Sequence, residues 1–282
     1  MRNKHILRII AKLDIKNGHL IKGINLEGLR ILGDPYEFAK LYSDYGIDEI
    51  FYQDNVAALY GTNNLSKYIK RAAEKISVPM SIGGGIRTLN DIEQALMSGA
   101  DKVCINSAVV KNIKFLKQAI SEFGSANISV LVETINIKNK YFISYLNGRE
   151  LVNIDPIEWS KKIEDYGAGE IILTSVNKEG LMSGFDIKLI KKISKNIKIP
   201  FVVHGGAGNF NHILDLAKNK KIHGIMLASM LHYHYLNFVS SSQNIKIGNT
   251  EFLDNLKKKK VNINFIKNLK LFLKKNKVNV RL

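Results

Sequence analysis

The chain has a single cysteine, Cys104, in 282 residues. That excludes an internal disulfide framework and any multi-cysteine metal centre. Long apolar runs are also missing, and none approaches the roughly 20 residues needed to cross a bilayer. The amino-terminal apolar stretch is broken at once by Lys12 and Asp14, so no signal peptide is expected. Acidic residues are scarce, 25 against 42 lysines and arginines, which leaves a formal net charge of +17. No basic stripe is interleaved with aromatics, so nucleic acid is not the expected partner. The charge reads as solvated lysine faces, which also speed the capture of small anions. His232 and His234 stand close together without nearby acids, so no metal and no cofactor is predicted. A cytoplasmic protein is the expectation.

What the sequence does contain is a repeat. "SIGGGIRT" at 81–88 is echoed by "VHGGAGNF" at 203–210, and "YGIDEIFYQDN" at 45–55 by "YGAGEIILTSVN" at 166–177. Pro79 and Pro200 share the same offset of 121 residues as the tyrosines that open those longer stretches. "GADKVCINSAVV" then answers "KIHGIMLASMLH", pairing Ser107 with Ser229 one residue out of step. A constant offset through strand, helix and strand signals duplication. Each half reads as four strand–helix units, with strands predicted at 7–13, 49–53, 79–83, 102–106, 128–133, 170–174, 200–204 and 224–228. Two such halves predict an α/β protein, a (β/α)8 TIM barrel made of two half-barrels in one domain over 1–282. A Ser/Asn/Lys-rich insertion at about 233–262 precedes the last helix.

In such barrels the chemistry gathers at the carboxyl ends of the strands. Gly84 and Gly85 with Asn106 and Ser107, and Gly205 and Gly206 with Ala228 and Ser229, form two glycine turns, each followed by a small hydroxyl residue. Glycine lets backbone N–H groups approach a phosphate closely. Two such sites half a barrel apart predict a ligand with a phosphate at each end. Asp14 and Glu133, at the ends of the first and fifth predicted strands, are opposed carboxylates suited to general acid and base work. The parity of strand residues turns Arg8, Glu49, Lys102 and Glu170 inward at the barrel bottom, where aliphatic residues are usual. Such a ring reads as a polar gate. Cys104 packs in the interior layer.

The stretches "LDIKNGHLIKG", "GDPYEFAKLYSDYGIDEI", "IGGGIRTLNDIEQALMSGADKVCINSAVV", "GLMSGFD", "HGGAG" and "LASMLH" together resemble the cyclase-subunit family of imidazole glycerol phosphate synthase. The resemblance implies a heterodimer in which a glutaminase docks on the amino-terminal face of the barrel and delivers ammonia. The ammonia crosses the charged floor and cyclises a bisphosphorylated ribulosyl aminoimidazole carboxamide ribotide. The implied products are imidazole glycerol phosphate and aminoimidazole carboxamide ribotide. Asp14 matches the family's first catalytic acid, Arg8, Glu49, Lys102 and Glu170 its gate, and Asp101 a partner-facing acid. Lys22, Asp54, Thr174, Ser175 and Asn177 are the expected substrate contacts.

The departures from that family are concentrated in the pocket. Glu133 stands where Asp is usual, and one extra methylene can misplace an acid by about 1 Å, on the order of 10²-fold in rate. Asn177 and Glu179 replace aspartates, Lys12 and His204 replace small residues, and Gln53 and Asn55 add polarity. Two other readings therefore stand beside the first. One is a paralogue that channels ammonia to amidation of a surface sugar; the other is a barrel that only activates a glutaminase. An isomerase acting earlier in histidine synthesis shares the repeat but has no use for a gate.

Overall fold

The computed structural model describes residues 5–55, 57, 65–239, 251 and 261–282. Its strands are β1 (Arg8–Lys16), β2 (His19–Ile24), β3 (Glu27–Gly33), β4 (Glu49–Asp54), β5 (Met80–Gly83) and β6 (Lys102–Ile105) in the first half. The second half has β7 (Ile128–Ile137), β8 (Lys140–Tyr145), β9 (Glu150–Val152), β10 (Glu170–Ser175), β11 (Phe201–His204) and β12 (Gly224–Leu227). Eight of them close a parallel ring in the order β1-β4-β5-β6-β7-β10-β11-β12, with β12 pairing back onto β1. These are the eight strands that the sequence predicts, and the fold is a (β/α)8 barrel.

The duplication runs through the backbone. β2, β4 and β5 recur 121 residues later as β8, β10 and β11, and β6 recurs 122 residues later as β12. Helix Pro35–Asp44 recurs as helix Pro156–Asp165, each opened by an aspartate and a proline. The Asp34 carboxylate accepts the Tyr36 N–H, and Asp155 accepts those of Ile157 and Glu158, so the free amides of the first turn are satisfied alike.

Four further strands lie outside the ring, where the sequence pattern had suggested none. β2 and β3 form an antiparallel ribbon on β1, and β8 and β9 one on β7. Asp14 and Glu133 therefore do not end their strands, which run on to Lys16 and Ile137. They sit where barrel pairing gives way to ribbon: Asp14 lies beside Gln53 and Ile21, Glu133 beside Thr174 and Ser144. Because Gln53 and Thr174 are equivalent in the two halves, so are Asp14 and Glu133.

The core has two shells. Most buried aliphatics lie between barrel and helices. Inside the barrel Ile10, Phe51, Cys104, Leu131, Ile172, Val202 and Met226 form a separate layer, one from each of seven ring strands. β5 contributes Gly83 there, and a Cβ on it would stand 3.0 Å from the Phe51 ring, which fills that side. Cys104 lies in this layer as expected, and burial pushes its thiol up to about 12.

Helix Ser229–Tyr235 runs through the start of the expected insertion, with Tyr235 fully buried. Residues 240–250 and 252–260 of that insertion lie outside the described residues. Helix Phe265–Lys275 is fastened to the barrel by Lys270, whose Nζ donates to Asp48 over 2.6 Å. Among the described residues no helix is long and apolar enough to cross a membrane.

Candidate active site at the barrel mouth

β1 turns Lys12 and Asp14 to the same face, and Lys12 Nζ donates to the Asp14 carboxylate inside the barrel. The ribbon β2 brings Lys22 in from the side. Its ammonium donates to Glu179 and lies 4.0 Å from the other Asp14 oxygen. All four side chains are buried, two of each sign. Isolated charges there would be costly, and the alternating run Lys12–Asp14–Lys22–Glu179 offsets part of that cost. Burial alone would raise the Asp14 carboxyl; Lys12 and Lys22 more than offset it and hold the group at about 2.

Glu133 faces the opposite balance. Burial pushes its carboxyl up to about 7, with Lys12 pulling the other way. One rim carboxylate is thus fixed in its charged form and the other is poised near neutrality. Pairs with environments that push their titrations apart can divide base and acid work between them. His204 lies beside Thr174, with Nδ1 3.3 Å from Oγ1. Burial, with Lys12 next, depresses its imidazole well below the ordinary value and keeps it neutral.

The first glycine turn opens onto a cavity of about 280 Å³, which Gln53, Gly84, Gly85, Asn106, Ser107 and Glu133 help to line. Gly84 has φ +97°, and a Cβ on it would lie 2.2 Å from the Asp54 carbonyl, so no side chain fits. Asp54, expected at a substrate, accepts the Ala57 N–H over 2.9 Å. The Ser107 hydroxyl accepts the Leu146 N–H, and Asn147 Nδ2 donates to the Asn55 carbonyl, so the β8–β9 turn rests on the first half. Arg87 and Lys111 add cationic donors to the outer wall.

The second glycine turn meets a space of about 10 Å³, bounded by Gly205, Gly206, Ala228, Ser229, His204 and Met226. Gly184 donates to the Gly206 carbonyl over 2.7 Å and closes the turn. Ser175 is buried beneath it. The two predicted phosphate turns are therefore unlike: one open, one filled.

At the other end, Arg8 donates to Glu49 over 2.5 Å and to Glu170, while Lys102 lies 3.4 Å from Glu170. Ser81 donates to Glu49 over 2.6 Å. The four predicted floor residues are thus brought together inside the ring, the acids buried and the cations a quarter exposed. Asp101 is exposed beside them and accepts the Met80 N–H over 2.8 Å. Asn177 is not gathered into the mouth: it is exposed, and its amide is spent on the backbone of Asn136. Among the described residues no group of three or more metal-ligating side chains is present. His232 is buried against Tyr42, with Nδ1 2.7 Å from the hydroxyl, and His234 meets the Asn262 carbonyl.

Sequence reasoning misses Arg87, Lys111 and Asn147 as cavity residues. Arg87 follows the glycine turn by two residues, which is a usable signal. Asn147 arrives on a ribbon that the strand pattern does not announce.

A duplicated βα barrel with two buried rim carboxylates that titrate apart, beside an open glycine turn, defines a barrel of enzyme type. Residues 8–237 match the histidine biosynthesis protein family, and the chain belongs to it. Among similar proteins, imidazole glycerol phosphate synthase subunit HisF of Lactococcus lactis subsp. cremoris is 43% identical over 80% of this chain and 88% of its own length. The subunit of that name from Legionella pneumophila is 45% identical over 72% of this chain and 96% of its own. That from Hydrogenobaculum sp. is 42% identical, covering 86% and 96%.

Proposed function

We propose that the chain acts as the cyclase subunit of an imidazole glycerol phosphate synthase in histidine biosynthesis. The observation that carries this reading is the pair Asp14 and Glu133, equivalent in the two halves, one held at about 2 and the other raised to about 7, beside an open glycine turn. The names of the relatives favour it over sugar amidation or simple glutaminase activation.

In this reading a glutaminase docks on the amino-terminal face, near Asp101. Ammonia enters past Arg8, Glu49, Lys102 and Glu170 and crosses the apolar layer to the mouth. Asp14, ionised, takes a proton as the ammonia nitrogen adds to the ribulosyl ketone of the bisphosphorylated ribotide, and the ketone oxygen leaves as water with the protons that the nitrogen gives up. Glu133, protonated, returns one to the nitrogen of the departing aminoimidazole carboxamide ribotide, and ring closure leaves imidazole glycerol phosphate. The Gly84–Gly85 turn with Asn106 and Ser107 holds one phosphate, and the Gly205–Gly206 turn with Ala228 and Ser229 holds the other after His204 and Met226 shift.

The test is turnover of the ribotide by the purified chain in alkaline ammonium chloride, without a glutaminase. Imidazole glycerol phosphate should form, and Asp14→Asn should slow its formation by at least about 10²-fold. Absence of product from the wild-type chain, or an unimpaired Asp14→Asn variant, overturns the reading.

A further inference from the structure

Three residues that line the open cavity each hold a buried oxygen atom with no hydrogen-bond partner among the described residues: Gln53 Oε1, Asn106 Oδ1 and Glu133 Oε2. Gln53 and Glu133 are 6% and 4% exposed, so water does not freely replace the missing partners. An unmet buried acceptor carries the full cost of its desolvation. The amide oxygens of Gln53 and Asn106 can be satisfied only by donors, and Glu133 joins them when it is ionised. The outer wall has the reverse character, with the N–H groups of the glycine turn, Arg87 and Lys111. The cavity is therefore polarised. An anion fits its outer end, and a group rich in N–H fits its inner end, against the apolar faces of Leu131 and Cys104.

We propose that Gln53 is a specificity-determining residue, whose side-chain carbonyl accepts a hydrogen bond from the carboxamide or amine N–H of a phosphorylated aminoimidazole carboxamide ligand. Its position fits: Gln53 Oε1 stands 3.2 Å from where a Cβ on Gly83 would lie, at the root of the phosphate turn. It pairs with Asp14 across β1 and β4, so a group bound to it lies next to the rim carboxylates. Its counterpart in the second half is Thr174, whose hydroxyl is engaged with His204, so nothing equivalent is left open there. The inference rests on the proposed function for the identity of the ligand.

Gln53→Met keeps the length and unbranched shape of the side chain and removes the acceptor. Two readouts should move in opposite directions. The free variant should melt about 2 °C higher, because a buried unpaired amide oxygen has been removed. In calorimetric titrations its affinity for aminoimidazole carboxamide ribotide should fall about tenfold, while its affinities for inorganic phosphate and imidazole glycerol phosphate stay as in the wild type. A lower melting temperature with unchanged ribotide affinity would make Gln53 a packing residue and sink the inference. So would an equal loss for ribotide and inorganic phosphate, which would mean a distorted cradle, or a loss confined to imidazole glycerol phosphate. If the wild-type chain binds inorganic phosphate but neither product, the functional reading fails as well. If the wild type turns over the ribotide and the Gln53→Met titrations match its own, the inference alone fails.

Discussion

The two halves of the barrel share a backbone and differ in what fills it. Register equates Gly83 with His204 and Cys104 with Met226, because β5 and β6 pair as β11 and β12 do. Where the first half has the two small residues, the cavity behind the turn is about 280 Å³; where the second has the two large ones, it is about 10 Å³. Both turns still demand glycine: Gly84 and Gly206 have φ of +97° and +114°, and a Cβ on either would lie 2.2 Å from a carbonyl oxygen. Turn geometry alone therefore does not decide whether a phosphate can enter. The space behind each turn differs with the side chains one residue before it and on the next strand.

That contrast can be broken in three places. The largest effect should come from Lys22→Met, which strips Glu179 of its buried cation and unlatches the segment that follows β10. Breaking a buried pair from one side costs about 3–5 kcal/mol, and Lys22→Met with Glu179→Leu should recover part of it in denaturant melts. His204→Ala comes next. It should lose roughly 2 kcal/mol to the cavity it creates, yet make the second turn accessible, so that inorganic phosphate raises its melting temperature more than that of the wild type. Equal phosphate effects in the two proteins would show that His204 is not what fills the second half.

The smallest effect is a pH dependence. Burial raises the folded Glu133 carboxyl from 4.5 to about 7. Between those values the folded chain keeps a proton that the unfolded chain has released, so stability falls as pH rises through that window. Glu133→Gln cannot ionise. Its melting temperature relative to the wild type should climb across this range and level off above it. A constant difference would show that Glu133 is not held up by burial.

Much of this is legible in the sequence, for identifiable reasons. Strands buried on both faces and bounded by glycine turns leave a strong pattern, and a repeat states it twice. Parity then places Arg8, Glu49, Lys102 and Glu170 on the floor and Lys12 inside the barrel. The ribbons escape a reading that ends the first and fifth strands near their carboxylates. Yet Asn17-Gly18, both at positive φ, is a strong hairpin signal between alternating residues. The Lys22–Glu179 pair cannot be read, since it joins residues far apart through a ribbon and a loop that only folding brings together. Nor can the filling of the second turn, which depends on His204 and Met226 meeting across neighbouring strands.

The seven-residue layer inside the ring separates two charged tiers, the floor and the mouth, with side chains that offer nothing to a proton or an ion. Such a girdle sorts travellers by charge before it sorts them by size. A cation entering it would leave water and counter-ions behind at a cost of several kcal/mol, whereas a neutral molecule of the same dimensions gives up far less. Of a weak base only the neutral form would cross such a girdle at low cost, its extra proton left below beside the carboxylates of Glu49 and Glu170.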